Sequence, residues 1–402
     1  MPRVNPDVLK WARETAGLDL DEAAIKLGIK DLRAISGADR LAVLESGDDE
    51  PSRTLLLKMT QQYRRPLLTF YLPAPPRQAE RGEDFRTLPE EYGRRDAALV
   101  DVLLRDVRAR QEMVRSLLEV EDEASTLPFV GSFDMTGGAK QLAGEIAATL
   151  GFNLAQFRRG GRNDAFAYLR DLVERQGVFV LLIGNLGSHH SVLDVELFRG
   201  FALADPVSPF VIINDQDSEA AWSFTLLHEL AHIWIGRTGI SGSNPSTPIE
   251  VFCNDVAGQI LMPDGEALRE DALRGAGTDQ VMARIRQLAD AWQVSHSAVA
   301  YKLFRGRIID RETWIEVSGI FRGQWLQNRA AARERNKENE NGPNYYVVRR
   351  HRLGNRLVGL SARMLAEGAL SPSAAGRILG VKPTNVYALT GASSGGASGR
   401  AA

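Results

Sequence analysis

The sequence predicts an α+β chain that is mostly helical: a bundle of short helices at the amino terminus, a central domain with a small sheet, and a helical carboxy-terminal segment. Three observations predict it. Apolar residues recur at helical spacing through residues 1–76 and again beyond Gly277. Three short apolar runs, Val178 to Ile183, Gly200 to Leu203 and Phe210 to Ile213, read as strands. The length of 402 residues with 44% hydrophobic content suffices for two or three domains, each burying a core. With 25% charged residues and a net charge of -2, the chain is neither a polycation nor an acidic solvating polymer, so nucleic-acid binding has to be local. One cysteine, Cys253, excludes an internal disulfide and a cysteine-based zinc finger and fits a reducing compartment. No apolar run approaches the ~20 residues that span a bilayer. Met1 to Lys10 carries charges, Pro2 and Pro6 where a signal peptide needs an apolar core. The expectation is a soluble, cytoplasmic protein.

Residues 1–76 open with Asn5-Pro6, a helix start, after which Val8, Leu9, Trp11 and Ala12 share one face. Gly17 breaks that helix. Asp19 can cap a second one carrying Leu20, Ala23, Ala24, Ile25 and Leu27, which Gly28 ends. Leu41 to Gly47 and, after Pro51, an apolar helix from Leu55 to Tyr63 complete a five-helix pattern that resembles the Xre/Cro helix-turn-helix domains of lambda-repressor type. The recognition helix would lie in Lys30 to Asp39, which holds Gly37 and two aspartates. Residues 1–75 balance 11 Lys/Arg against 11 Asp/Glu, whereas a DNA-binding domain needs a basic face. Operator binding and a docking or dimerising module are equally good readings of residues 1–76 alone.

Residues 77–128 read as a linker, rich in proline, arginine, glutamate and glycine, followed by an amphipathic helix from Asp96 to Glu121 with Leu99, Val102, Leu103 and Val107 on its apolar stripe. Residues 129–325 form the mixed domain. Helices at Lys140 to Leu150 and Asp164 to Arg175 precede the three strands, and a helix from Ser218 to Ile235 follows them. Residues 326–344 are polar and read as a second linker. Residues 345–390 form a basic helical segment: Tyr345 to Leu389 holds seven Lys/Arg against one acid, Glu367. Ser371 can cap a helix through Ala375 and Leu379, Gly380-Val381 turns, and Pro383-Thr384 opens another, a second helix-turn-helix texture. Residues 391–402, rich in Gly, Ser and Ala, read as a disordered tail.

The chemistry concentrates in His228-Glu229-Leu230-Ala231-His232. Two histidines four apart lie on one helix face, so both imidazoles can reach one zinc ion. Glu229 sits beside the metal rather than on it, where it can take a proton from the attacking water while the metal polarises the scissile carbonyl. Packing or capping histidines are the alternative. The apolar neighbours Leu227, Leu230, Ala231 and Ile233 count against it, because buried histidines without a metal or partners are costly. A third protein ligand is needed, with a fourth position open. Glu250 and Asn254 share a face of the next helix, Glu250 to Pro263; Glu250 as ligand would give the thermolysin-like, gluzincin arrangement, and Asn254 could hold a ligand histidine by a hydrogen bond. Asp255 competes but points about 100° further round the helix. Cys253 reads as a buried structural thiol. His189 and His190, in a glycine-rich turn, read as loop residues near a substrate cleft or simply exposed ones. His296 and Tyr301 are candidates for an oxyanion or substrate contact, with packing as their commoner role. No Walker sequence or Rossmann glycine fingerprint is present, so no nucleotide cofactor is expected.

Four blocks in order resemble the ImmA/IrrE family of metallopeptidases: Phe198 to Leu203, Val211 to Asn214, Phe224 to His232, and Glu250 to Pro263. The resemblance spans about residues 130–310, and an Xre-like domain joined to such a peptidase is similar to prophage and stress regulators. It implies a zincin-like metallopeptidase domain and a zinc-dependent endopeptidase of narrow specificity that cleaves a helix-turn-helix transcriptional repressor. By the match, His228, His232 and Glu250 are ligands and Glu229 is the catalytic base; Cys253 before Asn254 is a small departure. The donor set would accept manganese as well as zinc. The second reading is a DNA-binding regulator or antitoxin-like protein that binds through residues 1–76 or 345–390 and uses the peptidase fold as a sensor or docking module. Neither reading involves a membrane.

Overall fold

The computed structural model describes residues 3–32, 35–76, 94–186, 191–241, 247–337 and 344–391. The chain divides into two compact units, Met1–Ala109 with Asn185–Leu193, and Arg110–Gly184 with Asp194–Ala402. Residues 77–93 of the expected linker and long helix (77–128), and 392–402 of the expected tail (391–402), lie outside the described residues.

In the first unit, α1 (Pro6–Glu14) starts where Asn5 Oδ1 accepts from Asp7 N, and α2 (Leu20–Leu27) starts where Asp19 Oδ1 accepts from Glu22 N. Gly28 ends α2 with φ +69°, a left-handed conformation that glycine adopts without strain. Then come α3 (Gly37–Ser46), α4 (Arg53–Gln62) and a 3₁₀ turn, Leu67–Tyr71. Leu9, Leu27, Leu41, Met59, Tyr63 and Phe70 make the core, and Arg13 forms a buried bidentate pair with Glu45 at 2.8 Å. The stretch Lys30 to Asp39, expected to hold a recognition helix, becomes helical only from Gly37. Leu32 and Ile35 pair backbone to backbone, and a reciprocal cap between Ser36 and Asp39 sets the helix start. Residues 33 and 34 are not described.

α5 (Arg94–Val120) crosses the division between the units. In the second unit α6 (Ala139–Leu150), α7 (Leu154–Phe157) and α8 (Arg162–Arg175) precede β1 (Phe179–Leu182), β2 (Gly200–Leu203) and β3 (Phe210–Ile213). Next are α9 (Glu219–Trp234), β4 (Gly239–Ser241) and α10 (Pro248–Leu261). The four strands run in the order β1-β3-β2-β4; β1 is parallel to β3, and β2 is antiparallel to β3 and β4. β1, β2 and β3 are buried at every position, which explains why their sequences are continuous apolar runs rather than alternating ones. α9 is buried on nearly all sides, packed against α8, α10, β2 and β3.

α11 (Asp264–Ala267), α12 (Thr278–Trp292) and α13 (His296–Arg305) lead to α14 (Arg311–Lys337). α14 continues through most of the stretch expected to be a polar linker, 326–344. Polarity does not exclude a helix there, because Gln327 and Ala330 to Arg335 are mostly strong helix formers. α15 (Tyr345–Leu353), α16 (Asn355–Ala366), α17 (Pro372–Leu379) and α18 (Val386–Thr390) complete the second unit. They are tied to α8 by a buried pair. Arg170 Nη1 donates to His351 O at 2.6 Å, and Glu174 Oε2 accepts from Asn355 N and Arg356 N at 3.0 and 3.2 Å. Glu174 thereby caps α16, whose own cap residue is Gly354. No helix among the described residues is long and apolar enough to cross a membrane.

Candidate metal centre

The four-residue spacing on α9 brings His228 Nε2 and His232 Nε2 to 3.1 Å of each other, both rings buried. Glu250 meets them from the first turn of α10. That turn is set by Pro248 and by Thr247, whose hydroxyl oxygen accepts from Glu250 N at 3.3 Å. Glu250 Oε1 lies 3.1 Å from His232 Nε2, and Oε2 lies 3.3 Å from His228 Nε2. One helical turn on, Asn254 Oδ1 is 2.9 Å from His228 Nδ1. With the amide oxygen presented, Nδ1 donates and the Nε2 lone pair turns toward Glu250 and His232. His232 Nδ1 has no such partner among the described residues.

The two Nε2 atoms stand 3.1 Å apart, and each has its own Glu250 oxygen at 3.1 or 3.3 Å. A tetrahedral ion with bonds of ~2.0 Å holds adjacent ligands about 3.3 Å apart, so the residues present fit one divalent cation. Converging imidazole lone pairs and a carboxylate also need positive charge at their centre, and the electrostatics agree. Burial by itself would raise the Glu250 carboxyl, but hydrogen bonds and charge from His228 and His232 hold it down at about 2. Burial opposes charge on His228, yet the Glu250 contact and the negative charges of Glu250 and Glu229 keep it above its ordinary value.

Glu229, the residue after the first histidine, is fully buried. Its carboxylate lies against β2 at Gly200, where a Cβ would stand 2.9 Å from Glu229 Oε1, 2.7 Å from Thr225 Cγ2 and 3.0 Å from Ile212 O. A glycine at 200 is what lets the strand approach this close. Sequence reasoning passed over Gly200 as a functional position, although it stands inside one of the blocks quoted above.

The remaining candidates separate. Asp255 is turned away from the histidines and forms a bidentate pair with Arg305. Cys253 is buried, as expected, but its Sγ lies within 4.8 Å of the donor nitrogens of His228 and His232, so it is a second residue that can complete a metal set. The Glu250 oxygens stand 3.1 and 3.3 Å from the same nitrogens. The His296 ring stacks on Phe321 at 4.6 Å, a packing role. Tyr301 lines a cleft together with Asn254 and Arg305. His189 and His190 lie outside the described residues.

Residues 177–304 match the family model Peptidase_M78, the IrrE N-terminal-like domain. The match runs from the start of the sheet into α13 and includes His228, Glu229, His232, Glu250 and Asn254. This segment is thus similar to metallopeptidase domains of the ImmA/IrrE type, and its histidine cluster could hold a metal ion. No curated protein and no solved structure matches the chain.

Proposed function

We propose that the chain is a zinc-dependent endopeptidase of narrow specificity that cuts a helix-turn-helix transcriptional repressor in the cytoplasm, relieving repression after stress or during prophage induction. The observation that supports it best is the cluster of His228, His232 and Glu250, with contacts of 3.1–3.3 Å, and the buried Glu229 carboxylate beside it. A zinc ion held by those three residues would supply Lewis-acid polarisation of the scissile carbonyl and make water acidic near neutral pH. Glu229 accepts the proton of the attacking water at a carboxylate oxygen and passes it to the leaving amine. Gly200 lets β2 stand close against that carboxylate, where a Cβ would be 2.9 Å from Oε1. Asn254 orients His228 through Nδ1. Manganese would suit the same nitrogen and oxygen donors.

Residues 1–76 fit an Xre-like module that presents the repressor to the peptidase, their charge being balanced rather than basic. The DNA-binding reading through residues 345–390 loses much of its support. Of the seven basic residues there, Arg349, Arg352, Arg356 and Arg363 are engaged by Leu379 O, Asp215, Glu174 O and Glu123. The test is a panel of purified helix-turn-helix repressors incubated with zinc-loaded wild type and Glu229→Gln. Wild type cuts one repressor at one position, and the variant binds the same zinc but cuts none. Cleavage by Glu229→Gln would sink the mechanism, and digestion of many unrelated proteins would sink the narrow specificity.

A further inference from the structure

A cleft of about 360 Å³, within the range of small-ligand pockets, opens between α6, α10 and α13. Its carboxylates are each paired with a cation. Asp255 is paired with Arg305, and Asp264 Oδ1 accepts from Lys302 Nζ at 2.6 Å. The two amides have likewise spent their oxygens. Asn254 Oδ1 accepts from His228, and Gln259 Oε1 accepts from Lys302 Nζ at 3.3 Å. Each amide keeps its NH₂ group, and neither has an acceptor for it among the described residues. Tyr301 adds a hydroxyl: burial, then the charge of Asp255, pushes it up to about 12, so it stays protonated and can donate. Lys140, at the start of α6, lines the same cleft and has no acidic partner among the described residues. The walls are therefore rich in unspent donors, carry one uncompensated positive charge, and offer no unpaired carboxylate.

We propose that this cleft binds a carboxylate, taken by Lys140, Tyr301 and the NH₂ groups of Asn254 and Gln259. The carboxylate comes either from an acidic side chain of a bound peptide or from a free small dicarboxylic acid. Asn254 places the cleft one hydrogen bond from His228, so its occupant would be sensed at the metal centre. The proposal does not depend on the peptidase reading, because binding is measured without cleavage.

The test is calorimetric titration of the zinc-loaded full chain with succinate, and with succinamide as the uncharged isostere. Succinate is expected to bind saturably and succinamide not to. Lys140→Ala, an exposed position where folding is not at risk, is expected to weaken succinate about tenfold, and Tyr301→Phe about threefold. A second arm uses acetyl-Ala-Glu-Ala-amide against its glutamine counterpart. Preference for the glutamate peptide, with competition by succinate, assigns the cleft to a peptide side chain. Succinate binding with no peptide binding assigns it to a free acid. Equal binding of succinate and succinamide, or no binding of either acid, overturns the proposal. So does succinate affinity unchanged in both variants, which would place the acid on the metal instead.

Discussion

Replacing Asn254 by alanine tests how the site is held, separately from which residues bind the metal. The substitution removes the 2.9 Å contact between Asn254 Oδ1 and His228 Nδ1. His228 is 4% exposed, so a ring N–H deprived of its acceptor costs about 1–3 kcal/mol. Loss of a partner of this kind ordinarily weakens metal affinity by about 10–100-fold, or roughly 1.4–2.7 kcal/mol, and the two ranges coincide. Asn254 borders the open cleft, where water can replace part of the amide, so the lower part of the range, about 10–30-fold, is expected here. Asn254→Asp restores the acceptor and adds negative charge beside an imidazole, so it should bind zinc at least as tightly as wild type. Competition against a chelating dye at fixed pH measures all three proteins. An alanine variant within twofold of wild type, or an aspartate variant as weak as alanine, would refute the reasoning.

Gly200→Ala would put a Cβ within 3.0 Å of three heavy atoms, in a strand held on both sides by β3 and β4. Overpacking of this kind costs about 1–3 kcal/mol. For a unit of this size that lowers the melting temperature by roughly 2–10 °C, with zinc still bound; a melt identical to wild type would contradict it. The metal-free chain should also show a pH signature. Glu250, held down at about 2, contributes stability that is complete above its ordinary 4.5 and disappears as pH falls toward 2. His228, held above 6.5, contributes stability that is complete below 6.5 and disappears as pH rises through its folded value. The melting difference between wild type and Glu250→Gln should therefore be largest between pH 4.5 and 6.5 and shrink on both sides. A difference that does not vary with pH would contradict the pairing.

What could be read from the chain alone was whatever is encoded locally. Asn5-Pro6, Asp19 and Gly28 announce the limits of α1 and α2 because caps act within one turn. The four-residue spacing of His228 and His232 forces both onto one helix face, so the pair needs no tertiary knowledge. Within Lys30 to Asp39 the helix begins only at Gly37, because the reciprocal Ser36–Asp39 cap sets its start. The polar stretch after residue 326 reads as a linker by composition yet continues α14 to Lys337, because polarity does not exclude a helix. The cleft could not be read at all: Lys140, Gln259 and Tyr301 stand on three helices that only folding brings together. The same holds for the carboxy-terminal arginines, of which Arg352 and Arg363 meet Asp215 and Glu123, acids far away in the sequence, and Arg349 meets the Leu379 carbonyl.

The central claim is that His228, His232 and Glu250, rather than Cys253, hold one metal ion. Elemental analysis of the purified chain after incubation with zinc and removal of the excess tests it most directly, with His232→Ala, Glu250→Ala and Cys253→Ala measured beside wild type. About one zinc per chain is expected in wild type and Cys253→Ala, with loss in the other two. No zinc in wild type, or zinc lost from Cys253→Ala and kept in Glu250→Ala, would contradict the account.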